Sequence, residues 1–217
     1  MGKPDRTVGL PYHLLYPIIS CVLLGIAAFS SASTIWYVSA TTPTETIRFG
    51  STNYCGYNVS NFVITADLGC ISRGYQWQIP ENYFGFILPD DINYNVGRVA
   101  VTSVVAFSFV LASGAWHAYT IRYSFRLNPA PNNDKLWSSV QIHMVSVAIV
   151  FLFTWISFIA QAAIIGHASS FSQNIITSNQ DGVSIQWGQA PWLVLGSAIV
   201  HFGWGWESVR WRAALMA

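Results

Sequence analysis

The chain has 217 residues, of which 53% are hydrophobic and 15% aromatic but only 9% charged, against roughly 25% charged in an ordinary soluble domain. That composition excludes a soluble monomer, and a net charge of +1 lacks the basic face of a nucleic-acid binder, so no nucleic acid is expected as a partner. The apolar residues gather into four long blocks, and residues 1–217 are read as a single membrane domain with the lipid bilayer as its first partner.

A helix needs about 20 mostly apolar residues to cross the hydrocarbon. Four segments meet that test, at about 14–40, 99–121, 140–165 and 192–211, leaving outer loops at 41–98 and 166–191. The first block follows Lys3 and Arg6 but greatly exceeds the apolar core of a signal peptide, so it reads as a permanent helix. Cys21 lies inside it as a small packing residue.

The first outer loop is too long for a simple connection. Its stretches Thr46 to Tyr54, Val59 to Ala66 and Ile71 to Ile79 are rich in β-branched and aromatic residues and are separated by Gly, Asn and Asp, which predicts antiparallel strands. Cys55 and Cys70 share this loop, and an oxidising exterior favours a disulfide between them. Asn58, Val59 and Ser60 form an N-glycosylation sequon. Glu81, Asp90 and Asp91 read as a solvated acidic loop, with a weak calcium site as the alternative. The segment Asn93 to Gly97 leads into the second helix.

The second helix carries Ser103, Ser108, Ser113, Ala112 and Gly114, and the third carries Gln141 and Gln161, small and polar residues suited to close packing between helices in lipid. Beyond the third helix, Asp181 and Gly182 make a turn signal between Asn174 to Ser178 and Val183 to Trp187. This hairpin is expected to extend the sheet of the first loop.

Orientation follows from the basic residues. Lys3, Arg6, Arg122, Arg126, Lys135, Arg210 and Arg212 fall in the termini and the loop between the second and third helices, whereas Arg48, Arg73 and Arg98 fall in the other two loops. Both termini are therefore placed in the cytosol. His13, His117, His143 and His201 then share the cytosolic half, and His167 lies near the outer end of the third helix. Four imidazoles at similar depth suit either a metal or haem site or interfacial packing with local hydrogen bonds, and the second reading is preferred. No nucleophile elbow, zinc-binding helix motif or phosphate loop is present, and the chain is read as non-catalytic, with no cofactor and no metal.

Four helices with cytosolic termini and a long, cysteine-paired first outer loop resemble the claudin-like tetraspan superfamily. Trp36 in "TIWYVSA" resembles the tryptophan segment that follows the first helix in claudins. The run "FGSTNYCGY", with Gly50 and Cys55, stands at the place of their Gly-Leu-Trp-x-x-Cys motif, with Ser51 and Thr52 in place of Leu and Trp. Cys70 corresponds to the second cysteine and Arg98 to the arginine before the second helix. "YCGY" followed by "CISRGY" is closer to the fungal PalI and SUR type branch, whose members act at eisosomes and in pH response. The fold class implied is a four-transmembrane-helix bundle with a small extracellular antiparallel β-sheet.

The resulting expectation is a plasma-membrane protein that acts by contacts with another membrane protein or with itself, as a membrane-domain organiser, a junction-like protein or an auxiliary subunit. Tyr57, Phe62, Tyr75 and Trp77, with Tyr54, Tyr83, Phe84 and Phe86, are candidates either for exposed anchors or for burial between sheet and helix ends. The alternatives are a cation-selective pore lined by acidic outer residues and a metal or haem protein using the histidines.

Overall fold

The computed structural model describes residues 10–61, 63–72, 74, 91–126, 134–176 and 183–216. In chain order these form α1 (Leu10–Phe29), β1 (Val38–Thr41), β2 (Glu45–Phe49), β3 (Asn53–Ser60), β4 (Val63–Ser72), a π-helical turn (Asp91–Val96) that runs directly into α2 (Gly97–Arg126), α3 (Asp134–Ile176), β5 (Ser184–Trp187) and α4 (Ala190–Met216).

The first helix is shorter than predicted. It ends at Phe29, and residues 30–37 leave it in a serine-rich turn. There Ser31 accepts hydrogen bonds at its carbonyl from the backbone N–H groups of Thr34 and Ile35, both at 3.0 Å. The Thr34 hydroxyl donates to the same carbonyl at 3.1 Å, and hydroxyl side chains that compete for backbone partners in this way favour turns over helix interiors. The apolar residues that follow belong to β1 and its approach, which a hydropathy count does not separate from helix. The other three helices are longer than predicted at both ends.

The five strands form one antiparallel sheet in the order β4-β3-β2-β1-β5. Two strands occupy the predicted Thr46 to Tyr54 stretch, because the chain turns between Phe49 and Asn53. The turn is fixed by the Gly50 N–H, which donates to the Asn53 carbonyl at 2.8 Å, and by the Asn53 side chain, which accepts from the Ala32 N–H at 2.8 Å. A Cβ on Gly50 would stand 2.7 Å from the Ala32 nitrogen, so only glycine fits this approach. The predicted Val59 to Ala66 strand is likewise divided by a tight turn at Asn61, whose φ of 50° lies in the left-handed region that asparagine tolerates. Ile71 and Ser72 close β4; the rest of the predicted Ile71 to Ile79 strand is outside the described residues apart from Gly74. Of the second predicted hairpin, Ser184–Trp187 joins the sheet beside β1, whereas Asn174 to Ile176 continue α3.

The two-residue period of strands places Val38, Ala40, Ile47, Phe49, Tyr54 and Ile185 on one face, where they share a continuous core with Leu24, Ala27, Ala100, Ile165 and Ala190 of the helices. The helices neighbour one another in the order α1, α2, α3, α4 and back to α1. Helices approach closely at glycines, among them the expected Gly114: Gly25 meets Phe107, Gly114 meets Pro17, Gly196 meets Leu23 and Gly203 meets Tyr16.

The burial pattern is reversed relative to a water-soluble bundle. Ser20, Ser103, His117, His143, Gln161 and His201 are buried, while Ile18, Val22, Phe109, Leu111, Leu152, Ile156, Phe202 and Trp206 are exposed. Two helical segments, Tyr94–Arg122 and Trp137–Ser170, are long and apolar enough to cross a membrane, and Leu14–Phe29 is a shorter apolar helix.

Candidate functional site

Two features gather the chemistry-bearing residues: the stapled sheet at one end of the helices and an imidazole cluster inside them.

Cys55 and Cys70 stand directly opposite each other on β3 and β4 and form a disulfide, with their Cα atoms 4.1 Å apart. The predicted pairing is therefore present. Cys55 is buried and Cys70 exposed, while Cys21 is a half-buried free thiol. On the neighbouring strand the Arg48 guanidinium lies 4.0 Å from the Trp36 ring centroid and 4.9 Å from that of Tyr57, a cation held against two aromatic faces. This arrangement gives Trp36 a specific role in holding the sheet. It also places Tyr57 in a packing position: Tyr57 is buried with Ala32 and Cys55, and Tyr54 is fully buried, so neither is an exposed anchor. Phe62, Tyr75, Trp77, Tyr83, Phe84, Phe86, Glu81 and Asp90 lie outside the described residues, as does the Asp91 side chain. Asn58 is half-buried within β3, its carbonyl accepting from Thr65 Oγ1 at 3.3 Å. Arg98 is exposed in the first turn of α2, inside the helix rather than before it.

The sheet is tied to the helices by a polar network. The Tyr37 hydroxyl hydrogen-bonds with the Ala27 carbonyl at 3.0 Å and Ser103 Oγ at 2.9 Å. Gln161 Nε2 donates to Ser103 Oγ at 2.9 Å and Ser157 Oγ at 3.1 Å. At β5, the Gly188 N–H donates to the Tyr37 carbonyl at 2.9 Å and the Ala190 N–H to the Trp36 carbonyl at 3.0 Å. A side chain at Gly188 would run into the Trp36 carbonyl.

Deeper in the bundle, His117 of α2 and His143 of α3 stack with ring centroids 4.0 Å apart. Trp204 of α4 lies edge-on or tilted to both at 5.9 Å and stacks on His201 at 5.8 Å. His201 Nε2 shares a hydrogen bond with Ser20 Oγ of α1 at 3.1 Å, and His143 Nε2 with Ser208 Oγ at 3.1 Å. All four helices thus meet at one aromatic layer. Sequence reasoning placed these three histidines at one depth; the structure moves them from the expected interface to the interior, at or below 1% exposure. The His13 side chain is outside the described residues, and His167 is exposed at the far end of α3. Stacked rings direct their nitrogens side by side, and among the described residues no three His, Cys, Asp or Glu side chains are placed to hold one metal ion. Nothing in the local pattern "GWGWE" marks Trp204 as the hub, because its neighbours Gly203, Gly205 and Trp206 suit a helix end equally well.

No family model matches the chain, and no curated protein matches it significantly in sequence.

Proposed function

We propose that the chain is a four-span membrane protein of the claudin-like type that acts through protein contacts, presenting the stapled sheet outside the cell and its helix surfaces to neighbours within the bilayer. The observation that carries this reading is the reversed burial on every helix. Along α3 the exposed apolar residues run from Ile142 to Ile159, roughly 26 Å at 1.5 Å per residue, close to the hydrocarbon thickness of about 30 Å. Exposed apolar residues continue this belt on α1 at Leu15 to Phe29, on α2 at Val105 to Tyr119 and on α4 at Trp192 to Val209. In water such a belt would drive aggregation, whereas in lipid it costs nothing.

Four crossings put both termini on one side, and the excess of Lys and Arg there assigns that side to the cytosol and the sheet to the exterior, with the plasma membrane as the site of action. A disulfide on the sheet fits an oxidising compartment. The disulfide between adjacent strands of the first loop and the four helices support this reading. Rigid anchoring through Tyr37, Gly188 and Ala190 suits a platform whose role is recognition, either of a larger membrane protein or of another copy.

Purification in mild detergent at native expression, followed by mass spectrometry of co-purifying proteins, tests the proposal. A stoichiometric larger membrane protein identifies an auxiliary subunit; an oligomer of the chain alone identifies self-assembly into a junction or membrane domain. A monomer that fractionates with soluble protein refutes it.

A further inference from the structure

β4 is the most solvent-exposed strand of the sheet. Among the described residues it is an edge strand, nine of its ten residues are exposed, and its register against β3 shifts twice, between Gly56 and Tyr57 and between Asn58 and Val59. Each shift leaves a residue of β4, Leu68 and Thr65, without a partner opposite and breaks the ladder locally. The short Cα distance at Cys55 and Cys70, 4.1 Å, is that of a rung whose two residues exchange no backbone hydrogen bonds, so the strands are joined there covalently. By contrast β1, β2 and β5 are buried on the helix side and bonded to the helices through Tyr37, Gly188 and Ala190. The half of the disulfide that faces solvent is Cys70, on the exposed strand, while Cys55 lies beneath it, fully buried.

We propose that the Cys55–Cys70 disulfide is a redox latch on β4: an external dithiol reductant opens it and releases β4 while the rest of the sheet stays docked on the helices. This inference rests on the exported orientation proposed above. In the exchange, a thiolate of the dithiol attacks Sγ of Cys70 and forms a mixed disulfide, and the bond to Cys55 breaks with Cys55 leaving as a thiolate that takes up a proton. The second thiol of the reductant then attacks its own sulfur in the mixed disulfide. Cys70 leaves as a thiolate, and the reductant departs oxidised as a disulfide. Release frees the outer edge of β3, which β4 otherwise pairs, for a different strand.

The test uses the full chain in lipid nanodiscs. Free thiols are first counted by alkylation and mass spectrometry without reductant, then after dithiothreitol in the absence of denaturant, and hydrogen exchange is followed on peptides covering all five strands. One alkylated cysteine, Cys21, is expected before reduction and three after it, with amide exchange in β4 at least tenfold faster and exchange in β1, β2 and β5 within twofold of the oxidised protein. Three free thiols at the outset would overturn the exported orientation itself. With that orientation intact, the latch is overturned by a disulfide that dithiothreitol opens only in denaturant, by unchanged exchange in β4, or by equal acceleration of all five strands, which marks a structural staple.

Discussion

Replacement of Leu152 by aspartate separates a lipid-facing helix from a water-facing one by the size of the effect. Leu152 is 57% exposed and lies near the middle of the apolar belt on α3, midway between Ser139 and Ile165. On a helix facing water, an exposed leucine replaced by a charge changes stability by no more than about 0.5 kcal/mol. At the centre of a membrane-spanning helix, aspartate costs roughly 2.5 to 3.5 kcal/mol on insertion scales. At about 1.4 kcal/mol per tenfold, that lowers the insertion equilibrium roughly 60- to 300-fold. The readout is a glycosylation acceptor engineered between Ile176 and Val183, in chains translated into microsomal membranes. The acceptor is modified only when α3 crosses, and the natural acceptor at Asn58 reports that the first loop has been exported. Leu152→Asp is expected to abolish the engineered glycan while leaving the one at Asn58. Ser170→Asp, at an exposed site near the end of the candidate span, is expected to leave both, because the cost of charge falls toward the interface. Equal glycosylation of wild type and Leu152→Asp would refute the assignment of this face to lipid.

Trp204→Ala removes a fully buried ring that touches three imidazoles and is expected to destabilise the protein by about 3 to 5 kcal/mol. Trp204→Phe keeps most of the volume and removes an indole N–H without a hydrogen-bond partner among the described residues, for a cost below about 1.5 kcal/mol; thermal unfolding in detergent distinguishes the two. Asn58→Gln is expected to remove the only shift in electrophoretic mobility that a glycosidase produces. Cys55→Ser and Cys70→Ser are each expected to lower unfolding stability by about 3 kcal/mol, the chain-entropy value for a loop of this size, and to impair surface delivery, whereas Cys21→Ser leaves both unchanged; surface biotinylation and thermal unfolding check this. Gly188→Val sets a side chain against the Trp36 carbonyl and is expected to uncouple β5 from β1, seen as accelerated hydrogen exchange at Ile185 and Trp187.

Much of this architecture is legible in the sequence, because long apolar helices and a cysteine-paired loop leave strong signals. The four apolar blocks correspond to the four helices, and Cys55 and Cys70 are joined as expected. Boundaries were lost where hydropathy and helix propensity diverge. "SSASTIWYVSA" is apolar enough to prolong a span, yet its hydroxyl residues turn the backbone and its β-branched residues enter a strand. The division of Thr46 to Tyr54 into two strands depends on Gly50 meeting Ala32, a contact between segments that no local pattern encodes. The imidazole layer was only half visible: depth along three helices could be counted, but which way each ring faces depends on helix rotation. Low amphipathic contrast in a helix with apolar residues on both sides hides that rotation. Arg48 was counted only as a loop charge, since its two aromatic partners come from a segment twelve residues earlier and from the next strand.

The polar residues inside the bundle are arranged in layers, and the layering bears on what the helices do. Near the sheet, Tyr37, Ser103, Gln161, Ser157 and Thr102 form one connected network. Further along, Leu24, Ala106, Val110, Val147, Val150 and Val194 fill the interior with apolar side chains, and beyond them comes the layer of His117, His143, His201 and Trp204. Apart from Thr154, whose hydroxyl donates to the Val150 carbonyl of its own helix at 2.8 Å, these described side chains separate the two polar layers with apolar packing. This layering agrees with a bundle whose polar groups hold helices together, where each interhelical bond contributes roughly 0.6 to 2 kcal/mol in lipid.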